Sequence, residues 1–243
     1  MSSFNSSELE NLPPGASLRT VLLVGGALVT GALFAAIWLP AWLPDLRLSL
    51  LGSTPQAYWF LSRGSALVAY LLLWGSMVFG VLLTNKMARL WPGGPTAYGL
   101  HEFTSLLGMG FGLFHAVILI GDRYIDYTVA QIVVPFASTG YKPFWVGLGQ
   151  LGLYLLALEN FSFYVRQRIG TRAWRLIHYA SFLTFLLALI HGLLSGTDTT
   201  QAWVAGMYWL TGGSLLFLSI FRLLTALMKR IFPEKSATVR QRV

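Results

Sequence analysis

Six stretches of this 243-residue chain are apolar for about twenty residues or more: 18–39, 58–83, 98–121, 144–165, 174–194 and 203–228. A helix needs about 20 residues, rising 1.5 Å each, to cross a hydrocarbon layer roughly 30 Å thick. Backbone amides in lipid must bond within their own segment, so each run predicts a helix. The fold class expected is therefore all-α, a polytopic membrane protein built as a six-transmembrane-helix bundle over residues 18–228. Pro40 and Pro44 close the first run, and Trp91, Pro92 and a Gly-Gly-Pro stretch break the chain after the second. Composition agrees: 55% of residues are hydrophobic and 11% charged, against about a quarter charged in soluble domains.

Residues 1–17 form a polar segment without a basic leader region, so the first run reads as a retained span. Residues 229–243 form a basic tail. Thirteen basic residues fall on one side of the expected membrane: Arg19, Lys86, Arg89, a cluster from Arg166 to Arg175, Arg222 and the tail. Four fall on the other: Arg47, Arg63, Arg123 and Lys142. Positive residues are retained inside, so both termini are expected in the cytoplasm, at a plasma membrane such as the bacterial inner one. The net charge of +8 is then topogenic and calls for no nucleic acid; lipid is the expected surrounding. The connection 122–142 holds "YTVAQIVVPF", too short to span. It is expected to lie on the membrane surface or to cap a site beneath it.

All four histidines fall inside spans: His101 and His115 in the third, His178 and His191 in the fifth. Ionisable residues within spans mark function more often than packing. Spans three and five run in the same direction, so His101 and His178 share one depth, on the inner side, and His115 and His191 share another, on the outer side. Fourteen residues separate the depths along span three, about 21 Å. Two facing imidazoles are the axial ligands of a six-coordinate b-type haem, whose porphyrin fills the other four positions. Zinc takes four protein ligands, or three and a water. The chain has no cysteine, which excludes thiolate zinc, iron–sulfur clusters and c-type attachment. Two b-type haems between helices three and five are thus expected.

Helical rotation brings His115 within about 40° of His101, but leaves about 140° between His178 and His191. A tilt, bend or bulge in span five must absorb that offset, or the two ligands approach from different azimuths. Gly108, Gly110 and Gly112 suit either a close macrocycle or a close helix. The cations expected near haem carboxylates are Arg172 and Arg175 on the inner side, and Arg63 and Arg123 on the outer. Glu159 and Asn160 are expected to be solvated at the interface.

Histidines fourteen apart in span three and thirteen apart in span five, within six spans, resemble the ferric reductase-like transmembrane domain. That superfamily includes NADPH oxidases, ferric reductases and the haem subunit of the periplasmic methionine sulfoxide reductase system. The resemblance covers roughly residues 58–227. It implies an inner haem on His101 and His178, and an outer haem on His115 and His191. It also implies an electron donor at the cytoplasmic face, flavin or quinol, and an acceptor outside: oxygen, ferric iron or a protein. Some relatives keep one haem and place a flavin near the cytoplasmic side. The sequence departs from the oxidases in having no glycine-rich dinucleotide fingerprint. A separate donor is therefore expected, with any flavin on a partner, and the chain reads as an electron-transfer subunit rather than a complete oxidoreductase. Two other functions predict different behaviour. A proton-coupled transporter using the histidines as a relay would be colourless. A structural or assembly subunit would hold haem without conducting.

Overall fold

The protein, described here from a computed structural model, is defined over residues 13–52, 56–85 and 87–231. Most of the expected polar N-terminal segment (1–12), the basic Lys86, and most of the basic tail (232–243) lie outside the described residues.

Local sequence sets the helix ends. Ser17 accepts the Thr20 N–H at 3.1 Å and starts α1 (Leu18–Trp42). Prolines begin α2 (Pro44–Leu51), α4 (Gly94–Ile118) and α6 (Pro143–Ile169), where a missing N–H costs nothing. Between these run α3 (Ala57–Thr84) and the short α5 (Val129–Val133). Gly170, at φ +84°, ends α6 and turns the chain directly into α7 (Thr171–Tyr179), a conformation that favours glycine. The chain finishes with α8 (Ser181–Ser195) and α9 (Ala202–Ile231). No strand occurs among the described residues.

Five segments are long and apolar enough to cross a membrane: Leu18–Leu39, Ala57–Thr84, Gly94–Gly121, Thr171–Ser195 and Ala202–Met228. The protein is an integral membrane protein, and large apolar side chains such as Leu28, Ile37, Trp209 and Leu210 face outward, toward lipid. The run expected as span four forms α6, 27 residues long. Gln150, Glu159 and Asn160 lower its hydropathy below that of the other five.

The core sits where α3 meets α9. Tyr70, Leu73, Met77 and Val81 lie on one face of α3, and Val204, Tyr208 and Leu215 on one face of α9. Leu156 of α6 and Phe185 of α8 complete it. Two polar contacts fix the register: Tyr70 Oη to Thr211 Oγ1 at 2.7 Å, and Trp74 Nε1–H to Ser214 Oγ at 3.0 Å. α1 stands apart, its apolar stretch burying nothing in the bundle. It is tethered at its start, where the Gly15 and Ala16 N–H groups donate to the Glu102 carboxylate at 2.9 and 3.3 Å.

Span five is where rotation left an unresolved offset, and it is broken. α7 stops at Tyr179 and α8 starts at Ser181. At the junction the Ala180 N–H turns back to Ile177 O at 3.0 Å, an i→i−3 bond. This tightened turn lets the α7 and α8 faces be set separately, which a continuous helix would not allow.

Candidate functional site

The four histidines meet in two pairs. His101 and His178 have ring centroids 5.9 Å apart with planes at 85°. His115 and His191 have centroids 6.1 Å apart with planes at 65°. A metal–imidazole bond of about 2.0–2.1 Å puts each ring centre roughly 3.2 Å from the metal, so two trans imidazoles on one ion have centroids about 6.3 Å apart. Both observed separations are close to that value.

Three of the four rings are held through Nδ1. His101 Nδ1 donates to Ser76 O at 2.8 Å, and Ser76 Oγ lies 3.1 Å from the same nitrogen. His115 repeats the arrangement on Ser62, with 2.9 Å to both the carbonyl and the hydroxyl. His191 Nδ1 donates to Trp145 O at 2.9 Å. Binding a carbonyl fixes the tautomer, leaving the Nε2 lone pair as the ligand and raising its basicity.

Each of these carbonyls sits in a helix whose residue four positions on is small: Gly80 after Ser76, Ala66 after Ser62, Gly149 after Trp145. Helical side chains lean toward the N-terminus and cover the preceding turn. A small residue therefore uncovers the carbonyl below it. The fit is close. A Cβ on Gly149 would lie 2.6 Å from His191 Nδ1, and one on Gly80 would lie 3.2 Å from His101 Cε1. His178 is held differently, its ring stacking on Trp174 with centroids 5.3 Å apart and planes at 20°.

Each pair opens into a cavity. The His101–His178 cavity, about 270 Å³, lies toward the α6–α7 turn, which we term the junction end. The His115–His191 cavity, about 440 Å³, lies toward the 122–142 connection, the loop end. Leu73 and Leu156 line both and form the wall between them. The connection caps the loop-end cavity, as one of its two expected placements held. Tyr127, Gln131 and Tyr141 line it. The cap is pinned by Gln150 Nε2, which donates to Gln131 O and Ile132 O at 2.6 and 2.8 Å. Lys142 Nζ adds a bond to Leu194 O at 2.7 Å, and Tyr141 Oη one to Ser195 O at 2.5 Å. Burial, aided by the neighbouring Tyr127, pushes the Tyr141 phenol above its ordinary pKa, so this O–H stays a donor.

The expected cations divide. Arg63 lines the loop-end cavity and is bound by Asp198, with Nε to Oδ2 at 2.8 Å and a second bond from Nη2 to Oδ1. Arg175 lines the junction-end cavity. Arg172 and Arg123 are exposed and line neither. Arg222, on α9, lines the junction-end cavity instead. Glu159 and Asn160, expected in interfacial solvent, are held inside the bundle. Glu159 is 8% exposed and accepts from Thr184 Oγ1 at 2.6 Å, while Asn160 Oδ1 accepts from Ser105 Oγ at 2.9 Å. These bonds tie α6 to α8 and to α4. Gly108 meets Leu72 and the Ala69 carbonyl of α3 and also lines the loop-end cavity, as Gly112 does.

The residues therefore fit a haem at each pair: paired imidazoles at the spacing of two ligands on one metal, three of the four tautomers fixed, apolar walls and a cation near each cavity. Among the described residues no cluster of three or more histidine, aspartate or glutamate side chains offers a conventional metal site. Comparison with family models, curated proteins and solved structures yields no match.

Proposed function

We propose that the chain is a six-span, di-haem membrane cytochrome b of the ferric reductase-like type. It carries electrons across the bilayer as the haem subunit of a multi-component oxidoreductase. One observation carries this reading: two histidine pairs, stacked at two levels of one bundle, each at the separation of trans ligands on a single metal. α6 is taken as the sixth span, because it packs within the bundle and its polar side chains are bonded internally. The junction end faces the cytoplasm, on the balance of basic residues.

Haem bound here would supply a one-electron iron couple. The chain supplies the rest. His101 and His178 would hold the cytoplasmic-side group; His115 and His191 would hold the outer one. Ser76, Ser62 and the Trp145 carbonyl fix three of those rings and tune their basicity. Leu73 and Leu156 keep the interval between the cavities dry, and the 122–142 cap excludes bulk water from the outer one. A proton relay is disfavoured, since three of the four imidazoles have their Nδ1 committed to a backbone carbonyl. The donor is a separate cytoplasmic-side flavoprotein or quinol. The acceptor is an outer-side protein, oxygen or ferric iron.

Proteoliposomes test this directly. With ferricyanide trapped inside and dithionite added outside, the unmodified chain is expected to bleach the trapped ferricyanide. His115→Ala is expected not to. Equal bleaching by both, or none by the unmodified chain, contradicts the proposal.

A further inference from the structure

The junction-end cavity contains a donor that no described residue satisfies. Trp174 Nε1–H is buried on its wall and has no hydrogen-bond partner among the described residues. An unpaired buried N–H costs about as much as a lost hydrogen bond, so such groups normally point at something. Across the same cavity, Tyr98 Oη is buried and accepts from the Arg166 side chain, while its own proton has no acceptor among the described residues. It lies against the Arg166 guanidinium. A phenol oxygen facing a cation directs its lone pairs there, which leaves its proton for an acceptor.

Both groups occupy matching places. Trp174 precedes His178 by four residues, and Tyr98 precedes His101 by three. Their helices run in parallel, so both lie about 4.5–6 Å from the histidine pair toward the junction end. Arg175 and Arg222 line the cavity too. Two donors and two cations on one side of the ligand pair select an anionic oxygen acceptor there.

We propose that Trp174 Nε1–H and Tyr98 Oη–H are the hydrogen-bond anchors for the carboxylates of the junction-end haem, with Arg222 and Arg175 supplying countercharge. Trp174 thereby has two positioning roles: its ring face packs on His178, and its N–H fixes the macrocycle's edge. Arg172, exposed and absent from the cavity lining, has no part. This inference rests on the di-haem reading of the site.

The test uses the full-length protein in detergent or nanodiscs, with Trp174→Phe and Tyr98→Phe. At Tyr98 phenylalanine removes only the hydroxyl; at Trp174 it keeps an aromatic face against His178 while removing the N–H and part of the ring. Both variants are expected to retain two haems per chain. Transfer of one haem to apomyoglobin should be about tenfold faster, the effect of losing one hydrogen bond to a charged group. The resonance Raman propionate-bending band of that haem should shift in each variant, a signature that loss of packing alone would not move. Arg172→Gln should leave both readouts unchanged. Two haems with unaltered transfer rate and propionate band in Trp174→Phe and Tyr98→Phe overturn this inference while leaving the di-haem reading intact. An unmodified chain without haem overturns both.

Discussion

At the scale of single residues, the site is defined less by the histidines than by what holds them. Ser62 and Ser76 are fourteen apart on α3, as His101 and His115 are on α4, and the antiparallel pairing matches each serine to one histidine. That equal spacing is visible in the sequence once the helices are known to pair. The requirement at Gly149 is not, because it arises from the approach of α8 across a different helix. Gly149→Ala tests it: a methyl placed 2.6 Å from His191 Nδ1 must displace the ring. The expected outcome is loss of one haem in two, read as pyridine haemochrome per chain, with Gly110→Ala as a neutral control because nothing surrounds that position. Full haem content in Gly149→Ala would show the close fit to be unimportant. Ser76→Ala should act more gently. It removes the hydroxyl and keeps the carbonyl bond, so both haems stay.

Among the elements, the break in span five and the cap at the loop end matter most. Composition reveals Thr171–Ser195 as one apolar run, and nothing in it announces a discontinuity at Ala180. The break follows from a conflict the sequence does contain, thirteen residues between two histidines that both face α4. One alanine inserted after Ala180 turns α7 by about 100° against α8. It is expected to cost the junction-end haem and spare the loop-end one, since α8 stays fixed through Thr184 and His191. Retention of both haems would mean that the α7 register is not specified. The cap carries a pH signature. Burial raises the folded pKa of Tyr141 above its unfolded value of about 10, so the folded state holds the proton more tightly. Its contribution is present in full below that value and is lost as pH climbs through the folded pKa. Difference ultraviolet titration of Tyr141→Phe against the unmodified chain should reveal one phenol ionising above pH 10. Ionisation at the ordinary value would place Tyr141 in open solvent.

For the whole molecule, the all-helical membrane class was legible from run length and from the scarcity of charge. The pairing of the histidines at two depths was legible from their positions and the alternation of spans. What escaped was set by tertiary contacts. Arg172 is on the same helix as His178 but is exposed and lines neither cavity, whereas Arg222, far away in sequence, reaches the junction-end cavity from α9. Glu159 and Asn160 lie near the end of an apolar run, where solvation was the simple expectation, yet their bonds to Thr184 and Ser105 draw them inside. A buried polar group is tolerated there because each has a partner. The absence of cysteine makes the topology easy to test. Single cysteines at Gly140 and Thr171 should label from opposite sides of the membrane, and labelling from the same side would break the two-depth arrangement. Whether each histidine pair holds one porphyrin is decided by pyridine haemochrome stoichiometry on the purified chain and on His115→Ala, both expressed with ample haem. Two b-type haems are expected per unmodified chain and one in the variant. A colourless unmodified chain, or a variant that keeps both haems, would contradict the di-haem reading.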